Sequence, residues 1–248
     1  MMLVKLGGSV ITDKSKKYVF REKTVRRLAE EIKNSGEKVI VVHGAGSFGH
    51  ILAKKYRLDK GLIHDRQVKG VAVVQRDVKN LNLKVVNCLI GAGMNPVSIP
   101  PSSVAECRNK KIEKINLDVF KKYLNLSLTP VTFGDVALDR KLSFCIVSGD
   151  LLMLELARVF KPKKSIFVSD VDGVYINGKM VEKVDRKIIQ NLERKKTKIS
   201  DVTGSMYEKV KIALKMSEFT KTVIINGNVK GRLGDTLKGK KVVGTVVG

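Results

Sequence analysis

The segment that most constrains the fold is Lys38 to His50, with the sequence KVIVVHGAGSFGH. It opens with an uninterrupted run of β-favouring aliphatic residues, Val39 to Val42, which is typical of a strand buried on both faces of a parallel sheet. The chain then passes through glycines to a helical pattern from about His50 to Tyr56. This order predicts that the glycines join the end of a buried strand to the start of a helix.

Turns of this kind are where open α/β sheets bind ligands, because main-chain amides and the positive end of a helix converge there. Gly44, Gly46 and Gly49 would let amides approach anionic oxygens without a side chain in the way. We interpret the segment as a cradle for a phosphate group. A tight turn that binds nothing is the alternative, since glycine also serves turn geometry alone.

The same glycines match the dinucleotide-binding pattern G-x-G-x-x-G. That fingerprint requires a second strand that ends, about 20 residues further on, in an acidic residue. The corresponding region, KGLIHDRQVKG, contains Asp65 but no preceding strand, which disfavours a dinucleotide fold. The Walker A pattern GxxxxGK[ST] does not occur in the sequence either.

Length and composition bound the remaining possibilities. A chain of 248 residues with 43% hydrophobic content can form one large α/β domain or two closely packed lobes. No apolar run approaches the roughly 20 residues that cross a bilayer, and Met1 to Val10 is too short and glycine-rich for a signal peptide, so we expect a cytoplasmic protein without a membrane partner.

The cysteines, Cys88, Cys107 and Cys145, lack metal-ligand spacing and are expected to be buried thiols.

The formal net charge of +24 bears on the partners of the protein, because a basic surface attracts polyanions. The excess is spread along the chain in the clusters KSKK, RNKK, KPKK, ERKK and KGKK, and tryptophan is absent from the composition. This dispersed pattern favours a basic or thermophilic proteome over a specific nucleic-acid partner. Such a surface would still help to recruit phosphorylated metabolites.

A second glycine turn follows the first predicted strand, Met2 to Leu6. Lys5 lies in that apolar strand, where a lysine is costly unless it meets an anion, and a phosphate at the adjoining Gly7-Gly8-Ser9 turn would supply one. A lysine that faces water from an edge strand is the alternative. The polar segment TDKSKKYVF then predicts a loop or hairpin, and its pattern does not separate Lys14 from the two lysines that follow.

Strands and helices alternate along the rest of the chain. A helix over 22–35 connects the first strand to the strand at 38–42 and makes a βαβ unit with a parallel pair. The later predicted elements are a helix at 66–90, a strand at 96–99, a helix at 118–126, a strand at 128–132, a hairpin that starts at GDVALD, a strand at 143–147, a helix at 151–160, a strand at 164–169, a short helix at 188–192, a helix from 206 to 217, a strand at 222–225, a polar connection through 231–235 and a closing strand at 242–247.

Taken in order, KLGGS at 5–9, HGAGSFGH at 43–50, SGD at 148–150, SDVDGVY at 169–175 and DVTGSMYEK at 201–209 resemble the motifs of the amino acid kinase superfamily, over essentially the whole chain. Within it, His50, SIPPSS at 98–103 and TFGD at 132–135 resemble the archaeal isopentenyl phosphate kinases, with fosfomycin kinases as the nearest alternative. The resemblance implies an α/β fold, a three-layer αβα sandwich with a mainly parallel central sheet of about eight strands. It also implies a homodimer and a single domain over residues 1–248, with an acceptor-binding lobe over about 1–147 and a lobe that binds Mg·ATP over about 148–248.

The resemblance also implies roles for individual residues. Lys5 and Lys14 would contact the transferring phosphoryl group, and Asp150 would hold these lysines in place. The residues that would hold the acceptor phosphate are Ala45, His50, Ser148 and Gly149. The residues that would lie near ATP are Lys5, Gly7, Gly8, Ser9, Gly46, Asp170, Tyr175, Gly204 and Lys209. Relatives usually have glycine at the position of Ala45, and the Thr203-Gly204-Ser205 segment replaces a common glycine pair.

The implied chemistry is transfer of a phosphoryl group from ATP, with Mg²⁺ carried by the nucleotide, to isopentenyl phosphate. A phosphate monoester has a second pKa of about 6, so the acceptor is already ionised and no general base is needed. His50 is therefore expected to donate a hydrogen bond to the acceptor phosphate, although a structural histidine is the alternative. Lys209 could instead be a solvated surface lysine. Asp170 and Asp172 could bind Mg²⁺ or simply form a turn.

Two functions of other classes fit parts of the same sequence. A ligand-sensing domain on the same fold would keep the glycine turns but lose Lys5, Lys14 or Asp150, and all of these are present. A polyanion-binding protein would use the basic surface and show strongly salt-dependent affinity.

Overall fold

The computed structural model describes residues 1–13, 15–194 and 205–248. The strands are β1 Met2–Leu6, β2 Val39–His43, β3 Pro96–Ser98, β4 Ala105–Arg108, β5 Lys111–Ile115, β6 Thr129–Phe133, β7 Asp135–Asp139, β8 Ser143–Val147, β9 Lys164–Ser169, β10 Val174–Ile176, β11 Lys179–Val181, β12 Lys183–Val184, β13 Lys221–Asn226 and β14 Thr245–Val247. The helices are α1 Gly8–Ile11, α2 Glu22–Lys33, α3 Gly46–Lys55, α4 Arg66–Gly91, α5 Pro101–Val104, α6 Asp118–Asn125, α7 Gly149–Phe160, α8 Arg186–Arg194, α9 Ser205–Met216 and α10 Arg232–Leu237, with a 3₁₀ turn at Leu58–Lys60.

The centre of the molecule is an eight-stranded sheet in the order β12-β14-β13-β9-β1-β2-β6-β3. Its pairs are parallel except for β13 with β14, which is antiparallel. The predicted βαβ unit is present, because β1 and β2 are parallel neighbours joined by α2. The mainly parallel sheet of eight strands confirms the predicted fold class.

Apolar clusters cover both faces of this sheet and make the three layers. On one face, side chains of α7 and α9, such as Leu152 and Val210, pack with Ile40 and Phe167 of the strands. On the other face, α2, α4 and α10 contribute a second cluster that includes Leu28. Helices are needed on both faces because the strands of a parallel sheet are apolar on both sides. None of the described helices is long and apolar enough to span a membrane.

A second sheet, in the order β5-β4-β7-β8, lies outside the main one and was not predicted. The strand predicted at 143–147 is present as β8, but it pairs antiparallel with β7 in this second sheet. The β4–β5 hairpin was missed because its strands are only four and five residues long and β5 has no buried residue, so neither is long enough for a clear alternation of buried and exposed positions. The predicted hairpin from GDVALD is confirmed as β7 and β8.

Three other predicted boundaries were wrong. The helix expected at about His50 starts earlier, since Gly46 already belongs to α3. The polar connection through 231–235 is mostly the helix α10, because the Glu31 carboxylate on α2 accepts hydrogen bonds from the amides of Gly231 and Gly234 and replaces a local cap. The closing strand is shorter than expected and covers only Thr245–Val247.

A buried carboxylate holds the tips of the second sheet together. Asp139 accepts hydrogen bonds from the backbone amides of Asn109 and Lys110 in one turn and of Lys141 and Leu142 in another, at 2.7 to 3.0 Å. Burial alone would raise the pKa of Asp139, but these amides stabilise its charged form and lower the pKa to about 2. The β4–β5 turn is thereby fixed to the β7–β8 turn.

In Asp139→Asn, an NH₂ group replaces one carboxylate oxygen and faces backbone amides from which it cannot accept a hydrogen bond. We expect Asp139→Asn to lower the free energy of unfolding by about 2–3 kcal/mol, since hydrogen bonds to charged groups are the stronger ones. Urea denaturation followed by circular dichroism measures this. Asp118→Asn is the matched control, because its side chain is 74% exposed, and it should change stability by no more than about 0.5 kcal/mol. Equal effects of the two substitutions would contradict the role given to Asp139.

Candidate active site

The carboxyl ends of parallel strands meet at one edge of the main sheet. Strands β1, β2, β6, β9 and β13 all run in the same direction, so the segments that follow them share this edge. These segments include both glycine turns singled out in the sequence, those after β1 and after β2. Ligands of open α/β sheets bind at this edge, which is therefore the candidate site.

The two glycine turns are in direct contact with each other. A Cβ atom on Gly8 would lie 2.8 Å from the Cα of Gly46, and one on Gly44 would lie 2.7 Å from the amide nitrogen of Gly8. Both distances are shorter than a side-chain carbon tolerates. Gly46 also has a φ of +50°, a conformation that side chains disfavour. Glycine is thus required for the mutual approach of two main chains, a reason that the sequence alone did not reveal.

Thr12 connects the same two turns and was not predicted as a site residue. Its Oγ1 donates a hydrogen bond to the carbonyl of Gly8 at 2.7 Å and accepts one from the amide of Ser47 at 3.0 Å. Ser47 belongs to the first turn of α3, so this hydroxyl fixes the start of that helix against the turn after β1. The glycine pattern draws attention to the turns themselves, whereas this link depends on the fold.

Lys5 lies buried in the middle of the site. Its strand β1 has β9 on one side and β2 on the other, so the alternative of a lysine on an edge strand is wrong. The Nζ atom lies 2.5 Å from Oδ1 of Asp150 in the first turn of α7, and the Lys5 side chain is only 7% exposed. Nζ also lies 5.8 Å from the centre of the Phe167 ring. The structure thus pairs Lys5 with Asp150, the residue for which the resemblance implies a role in holding the lysines.

This ion pair has a chemical consequence. Taking a charge out of water is costly, and the carboxylate compensates for most of the cost of burying Lys5. The pair also fixes the direction of the ammonium group, which can then serve a second anion without reorganising. Because Asp150 already neutralises one positive charge, binding two phosphates here would require additional cations.

Residues expected to hold the acceptor phosphate come together at the same edge. A Cβ on Gly134, which follows β6, would lie 3.4 Å from the amide nitrogen of Gly149 and 3.6 Å from that of Ala45. Gly134 itself was missed as a site residue, although it lies in the TFGD motif. Ser148 has a defined structural task, since its Oγ accepts a hydrogen bond from the amide of Leu151 and caps α7.

Unsatisfied polar atoms also mark this edge. Within the described part of the chain, buried side-chain oxygens on Ser47, Thr132 and Asp135 lack a hydrogen-bond partner, whereas the buried Oδ1 of Asp150 is engaged by the ion pair with Lys5. Ser47 lies at the start of α3, and Thr132 and Asp135 lie on either side of the junction between β6 and β7. Buried polar atoms are normally paired, so their accumulation here favours a site for ligand or water. Burial raises the pKa of Asp135.

His43 supports the second glycine turn from behind and was not predicted as a site residue. It is fully buried, its ring stacks on Phe133 at 5.2 Å, and its ring nitrogens lie 3.0 Å from the carbonyl oxygen of Gly44 and 3.1 Å from Oδ1 of Asn82. Burial lowers the pKa of His43 from 6.5 to about 4, so the ring is neutral at pH 7.

The predicted nucleotide side begins after β9. Asp172 forms an ion pair with Arg232 at 2.5 Å and accepts a hydrogen bond from the side chain of Asn226, and the bond from Arg232 lowers its pKa. Asp172 is thus part of an anchored turn. No group of histidine, cysteine or acidic side chains suited to a metal ion occurs among residues 1–13, 15–194 and 205–248.

For the remaining predicted site residues, the structure gives the element that carries each one and its burial. Asp170 and Tyr175 are partly buried beyond the end of β9, and Lys209 lies in the second turn of α9, a helix that packs between α7 and β13. His50 lies on α3, directly after Gly49 and about one turn after Gly46, and is exposed. Gly7 and Ser9 lie in the turn after β1. The predicted site residues Lys14 and Gly204 lie outside the described residues.

Comparisons with known proteins identify the family. A sequence profile described as the amino acid kinase family matches residues 1–226. The chain belongs to the amino acid kinase family. Among curated relatives, the isopentenyl phosphate kinase of Thermoplasma acidophilum is 34% identical over 252 residues, covering 100% of both chains. That of Methanothermobacter thermautotrophicus is 35% identical over 260 residues, covering 99% of this chain and 98% of the relative.

Solved structures of this family extend the likeness to three dimensions. One described as X-ray structures of isopentenyl phosphate kinase has a TM-score of 0.88 and 30% identity, with 100% of both chains covered. A product complex of the Thermoplasma acidophilum isopentenyl phosphate kinase has a TM-score of 0.82 and 31% identity, again with 100% of both chains covered. The family predicted from the motifs, and its fold, are confirmed.

The neutral state of His43 makes a prediction about pH. The imidazole is protonated more readily in the unfolded chain, near pH 6.5, than in the folded one, so its contribution to stability is complete above pH 6.5 and is lost as the pH falls towards 4. We expect the free energy of unfolding to fall by about 3 kcal/mol over this range from this group.

The measurement is urea denaturation at several pH values, comparing the wild type with His43→Gln. The variant should be less stable at pH 7 but lose less stability on acidification. Asp139 loses its stabilisation as the pH falls below 3.8 and Glu106 as it falls below 4.5, and both losses are common to the wild type and the variant. Parallel pH profiles for the two proteins would show that His43 is not the group responsible.

Proposed function

We propose that this amino acid kinase transfers the γ-phosphoryl group of ATP to isopentenyl phosphate and forms isopentenyl diphosphate. The observation that carries the proposal is buried Lys5, paired with Asp150, at the meeting point of two glycine turns. The acceptor is inferred from relatives named isopentenyl phosphate kinase, which match essentially the full length of this chain.

The geometry suits the demands of this reaction. Phosphoryl transfer leaves a protein mainly the tasks of positioning two reactants and neutralising charge on the transferring group. Two phosphates repel each other, so the site must supply cations and main-chain amides between them. In our proposal Lys5 contacts the transferring group while Asp150 fixes its direction, and Lys14 stabilises the transition state. Gly7, Gly8 and Ser9 contribute amides.

On the acceptor side, Ala45, Ser148 and Gly149 would hold the acceptor phosphate through the starts of α3 and α7. Both segments lie beside Gly134 at the same edge, which supports this assignment. His50 would donate a hydrogen bond to the same phosphate. It would not act as a base, because the attacking phosphate oxygen is already ionised at neutral pH.

On the nucleotide side, Gly46, Asp170, Tyr175, Gly204 and Lys209 would contact ATP. Mg²⁺ would arrive on the nucleotide phosphates, as it commonly does in kinases. The pairing of Asp172 with Arg232 supports this, since it leaves that carboxylate little capacity to bind a metal. ATP as the phosphoryl donor fits a cytoplasmic enzyme.

We extend the proposal to the organisation of the chain. Residues of about 1–147 would form the acceptor-binding lobe and about 148–248 the nucleotide-binding lobe of a single domain. The exposed apolar side chains Leu83 and Ile90 lie seven residues apart on α4, on the same face of the helix, and support assembly into a homodimer.

The acceptor is tested by coupling ADP release to a spectroscopic signal. With Mg·ATP, we expect turnover with isopentenyl phosphate that exceeds the rate with fosfomycin or with an amino-acid carboxylate such as N-acetylglutamate. An acceptor side suited to an ionised phosphate disfavours the carboxylate, whereas the preference over fosfomycin, a phosphonate, rests on the relatives named isopentenyl phosphate kinase. A higher rate with fosfomycin would assign the chain to the alternative branch, and activity confined to the carboxylate would exclude the proposal.

His50 can be tested separately from catalysis by the lysines. A hydrogen bond to a charged group is worth about 1.5–3 kcal/mol, so we expect His50→Ala to raise the KM for isopentenyl phosphate roughly 10- to 100-fold while the KM for ATP stays nearly constant. Steady-state kinetics measure both constants. His64→Ala removes the other exposed histidine and serves as the control. An unchanged acceptor KM would remove His50 from the site.

A further inference from the structure

A helix outside the predicted site makes a set of polar contacts that phosphoryl transfer does not explain. Glu31, on α2, accepts hydrogen bonds from the amides of Gly231 at 2.9 Å and Gly234 at 3.0 Å. Its side chain is only 11% exposed, and it is paired with Arg27 one turn earlier on the same helix, at 2.5 Å. The amides belong to residues far away in sequence, at the start of α10.

Arg27 extends the contact to the end of β13. Its guanidinium donates to the carbonyl of Gly227, the residue that follows this strand. Gly227 is itself buried and close-packed, since a Cβ there would lie 2.3 Å from a side-chain carbon of Val168. The segment from Gly227 to Gly234 is therefore held at both ends by one pair of side chains on α2, while Asn228, Val229 and Lys230 between them are exposed.

The two amides bound by Glu31, those of Gly231 and Gly234, lie on either side of Arg232 in the sequence. Fixing them fixes the backbone from which the Arg232 side chain extends. The Arg232 side chain is 13% exposed and its guanidinium pairs with Asp172 at 2.5 Å. Asn226 donates a hydrogen bond to the same carboxylate oxygen. A continuous set of contacts thus leads from Glu31 through Arg232 to the turn that follows β9.

We propose that Glu31 is a positioning residue for nucleotide binding, which acts by fixing the backbone around Arg232 and so the Arg232–Asp172 pair. The inference rests on the proposed function, because the turn that contains Asp172 is the one that would lie near ATP. Glu31 touches no substrate in this scheme.

The physical reason lies in how the segment is held. The amide of Gly227 donates to the carbonyl of Ser169 and Leu233 is buried in the core, but Glu31 is the side chain that binds the amides on both sides of Arg232. Gly231 has a φ of +80°, so its backbone conformation is not restricted by a side chain. A charged acceptor shared by two amides and a guanidinium fixes such a segment more firmly than a neutral acceptor does. Without the Glu31 carboxylate, the backbone that carries Arg232 would no longer be fixed. The turn at Asp172 would then have to be ordered when the nucleotide binds. That ordering would weaken the affinity.

The test measures the Kd of Mg·ATP by isothermal titration calorimetry without any acceptor present. We expect Glu31→Gln to weaken Mg·ATP binding about tenfold, the equivalent of about 1.4 kcal/mol. In the kinetic assay the KM for ATP should rise similarly, while the KM for isopentenyl phosphate stays constant. Glu30→Gln removes the same charge from an exposed neighbour on the same helix and should leave both constants unchanged.

A double-mutant cycle separates positioning from loss of stability. If Glu31 acts through Arg232 and Asp172, then Glu31→Gln should weaken Mg·ATP binding much less in an Asp172→Asn background than in the wild type. Additive effects, or equal increases in both KM values, would overturn the inference. So would an unchanged Kd in Glu31→Gln that has the circular dichroism spectrum of the folded wild type.

The calorimetric measurement also distinguishes this inference from the proposed function. A wild type that binds Mg·ATP but does not phosphorylate isopentenyl phosphate would refute the acceptor and leave the role of Glu31 open to the same titration. A wild type that binds no Mg·ATP would overturn both.

Discussion

The contact between two glycine turns is the constraint on which the rest of the site depends. The turn after β1 and the turn after β2 approach so closely that a single methyl group on Gly8 would come within 2.8 Å of Gly46. This approach brings the ends of neighbouring strands to one point, so the starts of α3 and α7 can face the same space. Lys5 and Asp150 are then neighbours because their backbones are. A larger residue at Gly8 would move the cation and the amides together.

Charge is distributed around this contact in a consistent way. Lys5, in the middle of the sheet, has a carboxylate beside it, and His43, behind the glycine turn, is kept neutral by burial. Lys5 therefore brings little net positive charge to the site before any ligand binds. The positive charge needed for two phosphates must come from residues nearer to solvent, which is where a chain with a net charge of +24 has it in excess.

Local sequence patterns predicted the parts of the fold that local forces decide. The run Val39–Val42, the glycines after it and the periodic helices were found because burial and turn chemistry act over a few residues. The β4–β5 hairpin and α10 were missed, and the contacts that hold them come from residues distant in sequence: Asp139 for the hairpin turn and Glu31 for the helix. Within the site, Lys5 was identified by its cost in an apolar strand, whereas Thr12, His43 and Gly134 have roles that only the packed structure reveals.

The aspartates after β9 show why such distant contacts also decide chemistry. From the sequence, Asp170 and Asp172 suit a metal site and a simple turn equally well, because both use closely spaced carboxylates. For Asp172, the ion pair with the guanidinium of Arg232 favours the turn over the metal site, since a carboxylate already paired with a cation binds a metal ion less strongly. Arg232 is 60 residues further along the chain and is oriented by a carboxylate that lies 201 residues before it. A function read from motif spacing alone therefore remains ambiguous wherever a distant residue sets the charge of the motif.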